Sequence, residues 1–405
     1  MKKLRTILHC DLNNFFASCE CKLNPELKNI PMAVAGDVEA RKGIILAKNE
    51  LAKSYGIVTA ETIWSARRKC PELTLVPPHM DLYKSYSQKV RNILCEYTDM
   101  VEPFGIDECY LDVTASEHLF GNGETIAKIL KKRIKDETGL TVSVGVSFNK
   151  AFAKLGSDYK KPDAVTVISY ENYKNFVKNI PVENLLLIGG EVKKRLNRMG
   201  IYTIGELADE NKNLLIDALG KIGGIVHDYA NGLDESDVEK FDKRHSPKSI
   251  GNGNTFSENI ADETVLFSEF MKLCEEIALR LRKEELKGTV VCLNLKAPDF
   301  KAKSRQKTLL QPTNLASKIF DTVTEIYKEG FKDFKNIRSA TVTLRNLVSD
   351  DYVSEQISMF SDIEEKMHSS SKIEETMYKI KNKYGFNSIS YGISMNNDIK
   401  NNRQN

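Results

Sequence analysis

The chain has 405 residues, 41% of them hydrophobic and 28% charged, with a formal net charge of +3. At roughly 150 residues per domain this describes a globular protein of several domains, and the charge alone argues for no polyanion partner. No stretch approaches the roughly 18 consecutive apolar residues of a membrane span, and the apolar run in MKKLRTILHCDLNN stops too early for an export signal, so a cytoplasmic protein with no membrane partner is expected.

In chain order, LRTILHCD (4–11) reads as a strand, because β-branched and apolar residues precede polar turn formers. Helical and turn-rich material follows; 49–78 reads as two short helices split by Gly56 and closed by a Pro pair, part of a unit inserted at about 17–75. The helical spacing of Val90, Ile93, Leu94 and Tyr97 leads into MVEPFGIDECYLDVT, where Cys109, Leu111 and Val113 alternate as a strand does. A helix at 124–137, the strand TVSVGVS, a basic helix at 149–160 and the strand AVTVIS complete an α/β or α+β domain over 1–168.

Residues 169–236 read as wholly helical, and the polar ESDVEKFDKRHSPKS places an interdomain linker at 237–247. Over 248–348, GTVVCLNLKA and SATVTLRNL alternate with amphipathic helices, giving a small sheet backed by helices. The tail, 349–405, holds EQISMF, the helix KIEETMYKIKNKYG closed by Gly385, and an Asn-rich end. Two runs, 128–135 and 296–307, each carry five Lys and Arg. Such runs can follow phosphates, and equally they fit solvated faces. Eight cysteines form no CxxC pair and no zinc spacing, which fits reduced thiols.

Asp11, Asp107 and Glu108 stand where strands begin or end. Magnesium takes oxygen ligands and keeps waters and phosphate oxygens, so clustered carboxylates are what a phosphate-handling site needs. Two such ions about 4 Å apart activate an attacking oxygen and steady a leaving one. Strict alternation sends Asp107 and Glu108 to opposite faces of a strand. Both reach one site only where the backbone bends, and Gly105 permits a tight turn. On its own, an Asp-Glu pair at a strand start is ordinarily a pair of turn residues.

DLNNFFASCE, VEPFGIDECYLDVT and VGVSFNKAFAKLGSDYKKPD resemble, in order and spacing, the motifs of Y-family DNA polymerases. The likeness extends to about residue 348, and more loosely over the tail. It implies an α+β multidomain fold: a ferredoxin-like palm with inserted small fingers, an all-helical thumb with a helix-hairpin-helix, and an α/β little finger. It also implies low-fidelity, translesion DNA synthesis with two Mg2+ ions, primer-template DNA and deoxynucleoside triphosphates. By that resemblance Asp11 and Asp107 ligate the metal pair, Glu108 is the acid at the metal that activates the primer 3′-hydroxyl, and the carbonyl of Leu12 completes the shell. Phe16 falls at the steric gate, whose flat ring leaves no room for a 2′-hydroxyl, with Phe15 beside it at the nucleotide. Without the motif both rings fit a core. Lys161 occupies the triphosphate position, and Lys53 stands where many relatives carry Arg.

LLLIGGEVKKRLNRMGIYTIGELA resembles a helix-hairpin-helix, in which Gly189 and Gly190 aim backbone N–H groups at a DNA phosphate. The resemblance puts Lys301, Lys303 and Arg305 beside a phosphate backbone. Gln356, Ile357, Met359 and Phe360 of QISMF are similar to the pentapeptide that bacterial polymerases insert into the replicative sliding clamp. The chain departs from the family at Glu50 (usually Tyr), Asn13 (Asp), Gly105 (Ser) and Leu187 (the first Gly of the hairpin). Glu50 places a carboxylate near a triphosphate, so a weakened or non-catalytic DNA-binding accessory protein of the same family is the alternative. A nucleotide cyclase with a palm-like domain would need neither hairpin nor clamp peptide.

Overall fold

The computed structural model describes residues 4–37, 43–243, 246–351 and 361–396. The chain forms two compact units, one covering Met1–Gly36 and Gly43–Arg244, the other running from His245 to Asn405. The strands of the first unit are β1 (Ile7–Leu12), β2 (Met32–Ala35), β3 (Ile45–Lys48), β4 (Thr74–Val76), β5 (Val101–Pro103), β6 (Glu108–Asp112), β7 (Val142–Ser147) and β8 (Val165–Ile168).

A five-stranded sheet runs β5-β6-β1-β7-β8, with β1 antiparallel to both neighbours. β1 and β7 are buried along their whole length, because helices cover both faces of the sheet. On one face Leu8, Cys10 and Leu12 pack with Val90 and Leu94 of the helix Met80–Cys95 and with Ile126 and Leu130 of the helix Gly123–Thr138. The other face takes the helix Lys150–Tyr159, pressed so close that a Cβ on Gly145 would fall 1.9 Å from the Ala153 carbonyl oxygen. Phe152 and Leu155 of that helix feed a second core, shared with the helices Gly190–Arg198, Ile204–Asp209, Lys212–Leu219 and Lys221–Ala230. It is therefore clamped from two sides, which holds its polar side chains in fixed places.

A smaller sheet runs β3-β2-β4 and packs on the helices Glu50–Ser54 and Ile63–Lys69 through Ala33, Ile45, Ala52, Ile63 and Cys70. Its strands β2 and β3 lie in the stretch that sequence periodicity leaves as helical and turn-rich. At four residues each, MAVA and ILAK are too short to declare a period. Trp64, the single tryptophan of the chain, is 69% exposed on the helix Ile63–Lys69, with the Arg68 guanidinium 4.9 Å from its ring centroid.

The polar stretch after the helices is pinned at its start. Val238 is buried among Ile7, Tyr110 and Ala153, Arg5 donates to the carbonyls of Asp234 and Ser236, and Lys150 donates to that of Asp237.

In the second unit β9 (Ser249–Ile260), β10 (Leu286–Lys296), β11 (Ala302–Thr313) and β12 (Ile337–Ser349) form an antiparallel sheet in the order β11-β10-β12-β9. The helices Glu263–Lys283 and Ala316–Gly330 share its core through Phe270, Ile277, Leu293, Ile319 and Val342. The helix Ser361–Tyr384 docks by buried charge. Glu374 accepts the N–H groups of Ala316 and Ser317 and pairs with Arg282 at 3.1 Å, while Lys381 pairs with Glu275 at 2.8 Å. Gln356, Ile357, Met359 and Phe360 lie outside the described residues. Among the described residues no helix is long and apolar enough to cross a membrane.

Candidate active site

Asp11 is the fifth residue of β1 and stands in register opposite Glu108, the first residue of β6. Asp107 precedes the regular strand: Phe104 and Gly105 donate their N–H groups to the Glu108 carbonyl, closing a tight turn around it. The turn frees Asp107 from strand alternation, and its carbonyl still accepts the Leu12 N–H at 3.0 Å. Leu12, at the end of β1, is buried.

Two ammonium groups meet these acids. Lys154 Nζ lies 3.0 Å from Asp11 Oδ2 and 2.9 Å from Glu108 Oε1, and Lys161 Nζ lies 2.7 Å from Asp11 Oδ2 and 2.7 Å from Asp158 Oδ1. His9, fully buried on the Asp11 face of β1, donates to or accepts from Ser157 Oγ at 2.8 Å and stands 3.4 Å from Glu108 Oε2. Neither Lys154 nor His9 is found by the sequence reading. The stripe Lys154, Asp158, Lys161 at helical spacing, and His9 two residues before Asp11 on a strand, are the signals that point to them.

Burial pushes the Asp11 carboxyl up, against the pull of Lys154 and Lys161. Asp107 is also pushed up, by burial and then by the charges of Asp11 and Glu108. Burial works the same way on Glu108, but hydrogen bonds from His9 and Lys154 and the Lys154 charge outweigh it and hold Glu108 well below the ordinary carboxylate range. Burial lowers His9, which favours its neutral ring against the pull of Glu108.

Among the described residues no group of three or more His, Cys, Asp or Glu is already gathered around a metal position. The donor set still fits a divalent cation. Hard carboxylate oxygens stand side by side, the charges of Asp11 and Glu108 raise the Asp107 pKa, and the positive charge among them is supplied by lysine ammonium groups.

The helix Phe15–Leu23 follows directly. Phe16 is partly exposed and stacks on Tyr83 at 4.3 Å between centroids, with the planes 11° apart. Tyr83 is fully buried and donates to Glu20, which also takes His79 Nδ1 at 2.9 Å. Phe15 points the other way, its ring 3% exposed in the sheet core, so that ring is not available to a nucleotide.

The impB/mucB/samB family model matches residues 10–158, and the model of that family's C-terminal domain matches 247–359. DNA polymerase IV of Acetivibrio thermocellus is 44% identical over 389 residues, covering 96% of this chain and 97% of that one. DNA polymerase IV of Clostridium acetobutylicum is 35% identical over 403 residues, covering 98% and 100%. The chain belongs to the Y family of DNA polymerases. A solved Y-family polymerase chimera of Dbh and Dpo4 has the same fold, with a TM-score of 0.75 at 26% identity, covering 85% of this chain and 99% of that one. The chain is a template-directed, translesion-type DNA polymerase that acts on DNA and nucleotides with divalent metal ions, and its α+β multidomain architecture is that of the Y family.

The remaining Y-family positions are more dispersed. Lys53 sits on the helix Glu50–Ser54, its Nζ 3.7 Å from Glu50 Oε2. Asn13 is buried, donating to Ser143 Oγ at 2.9 Å and accepting the Asp163 N–H at 2.9 Å. Gly189 is the N-cap of the helix that begins at Gly190, and a Cβ on either would meet nothing within 4 Å. Leu187 has φ 73°, the left-handed conformation that the usual glycine adopts freely. Lys301 is exposed at the turn before β11. Lys303, partly buried, and Arg305, still exposed, lie on the helix-bearing face of that sheet: Lys303 Nζ is 5.6 Å from the Phe331 ring centroid, and Arg305 packs over Gly330. Strand alternation dictates this, since they pair with the core residues Leu295 and Leu293.

Proposed function

We propose that Asp11, Asp107 and Glu108, with the carbonyl of Leu12, hold two Mg2+ ions for deoxynucleotidyl transfer. The reading rests on the in-register pairing of Asp11 with Glu108 beside an Asp107 freed by its turn. Magnesium bound there would favour loss of the primer 3′-hydroxyl proton and steady the leaving pyrophosphate oxygen. Lys154 favours the charged forms of Asp11 and Glu108 and holds the two together, and His9 orients Glu108 through the contact at Oε2. Lys161 exchanges Asp11 for the triphosphate, and Lys53 approaches it from the inserted fingers. The first turn of the helix Phe15–Leu23 has no side-chain cap, so its N–H groups can meet phosphate oxygens, with Phe15 taking part through its amide. The Phe16 ring, braced on Tyr83, excludes a 2′-hydroxyl.

Gly189 and Gly190, where even a Cβ would meet nothing within 4 Å, turn their N–H groups to a DNA phosphate, and Lys301 offers an exposed charge. QISMF docks in the sliding clamp, which raises the local concentration of enzyme at the primer end. The protein is cytoplasmic with reduced cysteines, which thiol titration of freshly isolated protein would count.

Primer extension on an undamaged template with Mg2+, comparing wild type with Asp107→Ala, tests the assignment. Extension lost in the variant supports it. Equal extension by both would remove Asp107 from the site, and a folded wild type that binds primer-template without extending it would favour the accessory alternative.

A further inference from the structure

Glu50 occupies the position where the family usually has tyrosine, and its surroundings give the carboxylate a task. It is the first residue of the helix Glu50–Ser54, capped by Asn49, whose side chain accepts the Ala52 N–H at 2.9 Å. Its Oε1 accepts a hydrogen bond from Asn14 Nδ2 at 2.7 Å, and its Oε2 lies 3.7 Å from Lys53 Nζ. Asn14 is the N-cap of the helix Phe15–Leu23, at φ 47° and ψ 41°, and its side chain caps nothing. An asparagine at an N-cap ordinarily turns its oxygen onto the N–H of the second or third helical residue. Here Glu50 draws the amide away, and the first turn keeps its donors uncapped.

The charges nearby follow the same logic. Burial and then the Lys53 charge push the Lys48 ammonium down, and Glu50 draws it back up. One carboxylate thus holds the Asn14 donor and balances two lysines beside the open end of a helix. A cavity of about 380 Å³ adjoins it, with Asn14, Ser18, Lys22, Lys28 and Glu50 among its walls.

We propose that Glu50 sets specificity as a displaceable clasp: it holds Asn14 and Lys53 in place of phosphate oxygens until the triphosphate of an incoming deoxynucleotide takes both over. The inference rests on the triphosphate lying at this helix end. Nothing covalent changes; one anion replaces another. A triphosphate exceeds the charge of the carboxylate it expels by more than a diphosphate or pyrophosphate does, so those two are held off more strongly. The clasp also makes triphosphate binding weaker than a neutral residue would allow, by a margin that shrinks as salt screens the repulsion.

Steady-state extension and equilibrium titration of a non-hydrolysable deoxynucleoside triphosphate onto the enzyme–primer–template complex test this together. Glu50→Gln keeps the side chain's shape and loses its charge. Its KM and Kd fall about fivefold at low salt, the scale of one partly screened like-charge contact, and kcat moves less than about twofold. Pyrophosphate inhibits the variant more strongly than wild type. Asn14→Gly, which enters the same backbone conformation freely, cancels the gain when combined with Glu50→Gln. An unchanged or raised KM and Kd in Glu50→Gln overturns the clasp. A wild type that does not extend primers sinks the polymerase reading instead, and the titration still decides the clasp.

Discussion

Asp11 and Glu108 face each other across the β1–β6 ladder and share one ammonium group: Lys154 Nζ is 3.0 Å from the first and 2.9 Å from the second. Its side chain is only 16% exposed, so the ion pairs are shielded from water. Lys154→Met would leave two partly buried carboxylates side by side. We expect it to lose about 3 kcal/mol in urea melts run with chelator, the scale for breaking a buried pair, and to regain part of that with Mg2+. A variant as stable as wild type in chelator would show that Lys154 is not what holds the acids together.

Phe16 rests flat on Tyr83, and Tyr83 is locked by its bond to Glu20. If Phe16 is the proposed gate, removing the ring opens the space beneath the sugar and leaves its support standing. Phe16→Ala should cut discrimination against ribonucleotides by on the order of 100-fold, read as the ratio of kcat/KM for dCTP and CTP. Unchanged discrimination would move the gate elsewhere.

Leu187 holds a left-handed backbone at φ 73° with its side chain 44% exposed. A β-carbon there costs about 1–2 kcal/mol. Leu187→Gly should therefore raise stability by about 0.5–1 kcal/mol, after the greater freedom of glycine in the unfolded chain is subtracted. Thermal melts check it, and a lowered Tm would show that the leucine side chain contributes more than its backbone strain removes.

These positions differ in how far they could be read in advance. β1 was plain, because β-branched and apolar residues run straight into polar ones, and that run places Asp11. Gly105 hinted at the turn that releases Asp107. Lys154 was half-hidden: its stripe with Asp158 and Lys161 marks a polar helix face, but Asp11 lies 143 residues away, and no local pattern names so distant a partner. The same holds for Asn14 and Glu50, joined only when the two segments fold together. Lys303 and Arg305 could not be placed in advance, because a basic run does not say which face of a strand each residue takes. Leu295 and Leu293 opposite them answer that only once the register is known.

QISMF lies beyond the end of β12, and its proposed clamp role rests on its sequence. Gln356→Ala with Phe360→Ala should abolish binding to the sliding clamp in a pull-down while extension without clamp stays within about twofold. Clamp binding that survives both changes would dismiss the pentapeptide.

Trp64 gives the helix Ile63–Lys69 a private optical signal. With no second indole in the chain, emission excited at the red edge of protein absorbance comes from one side chain, already exposed and shadowed by Arg68. Any shift of its intensity during a stopped-flow mix with nucleotide times an event on that helix alone. The enzyme thus carries its own label, and the order of binding and chemistry can be followed without attaching a dye.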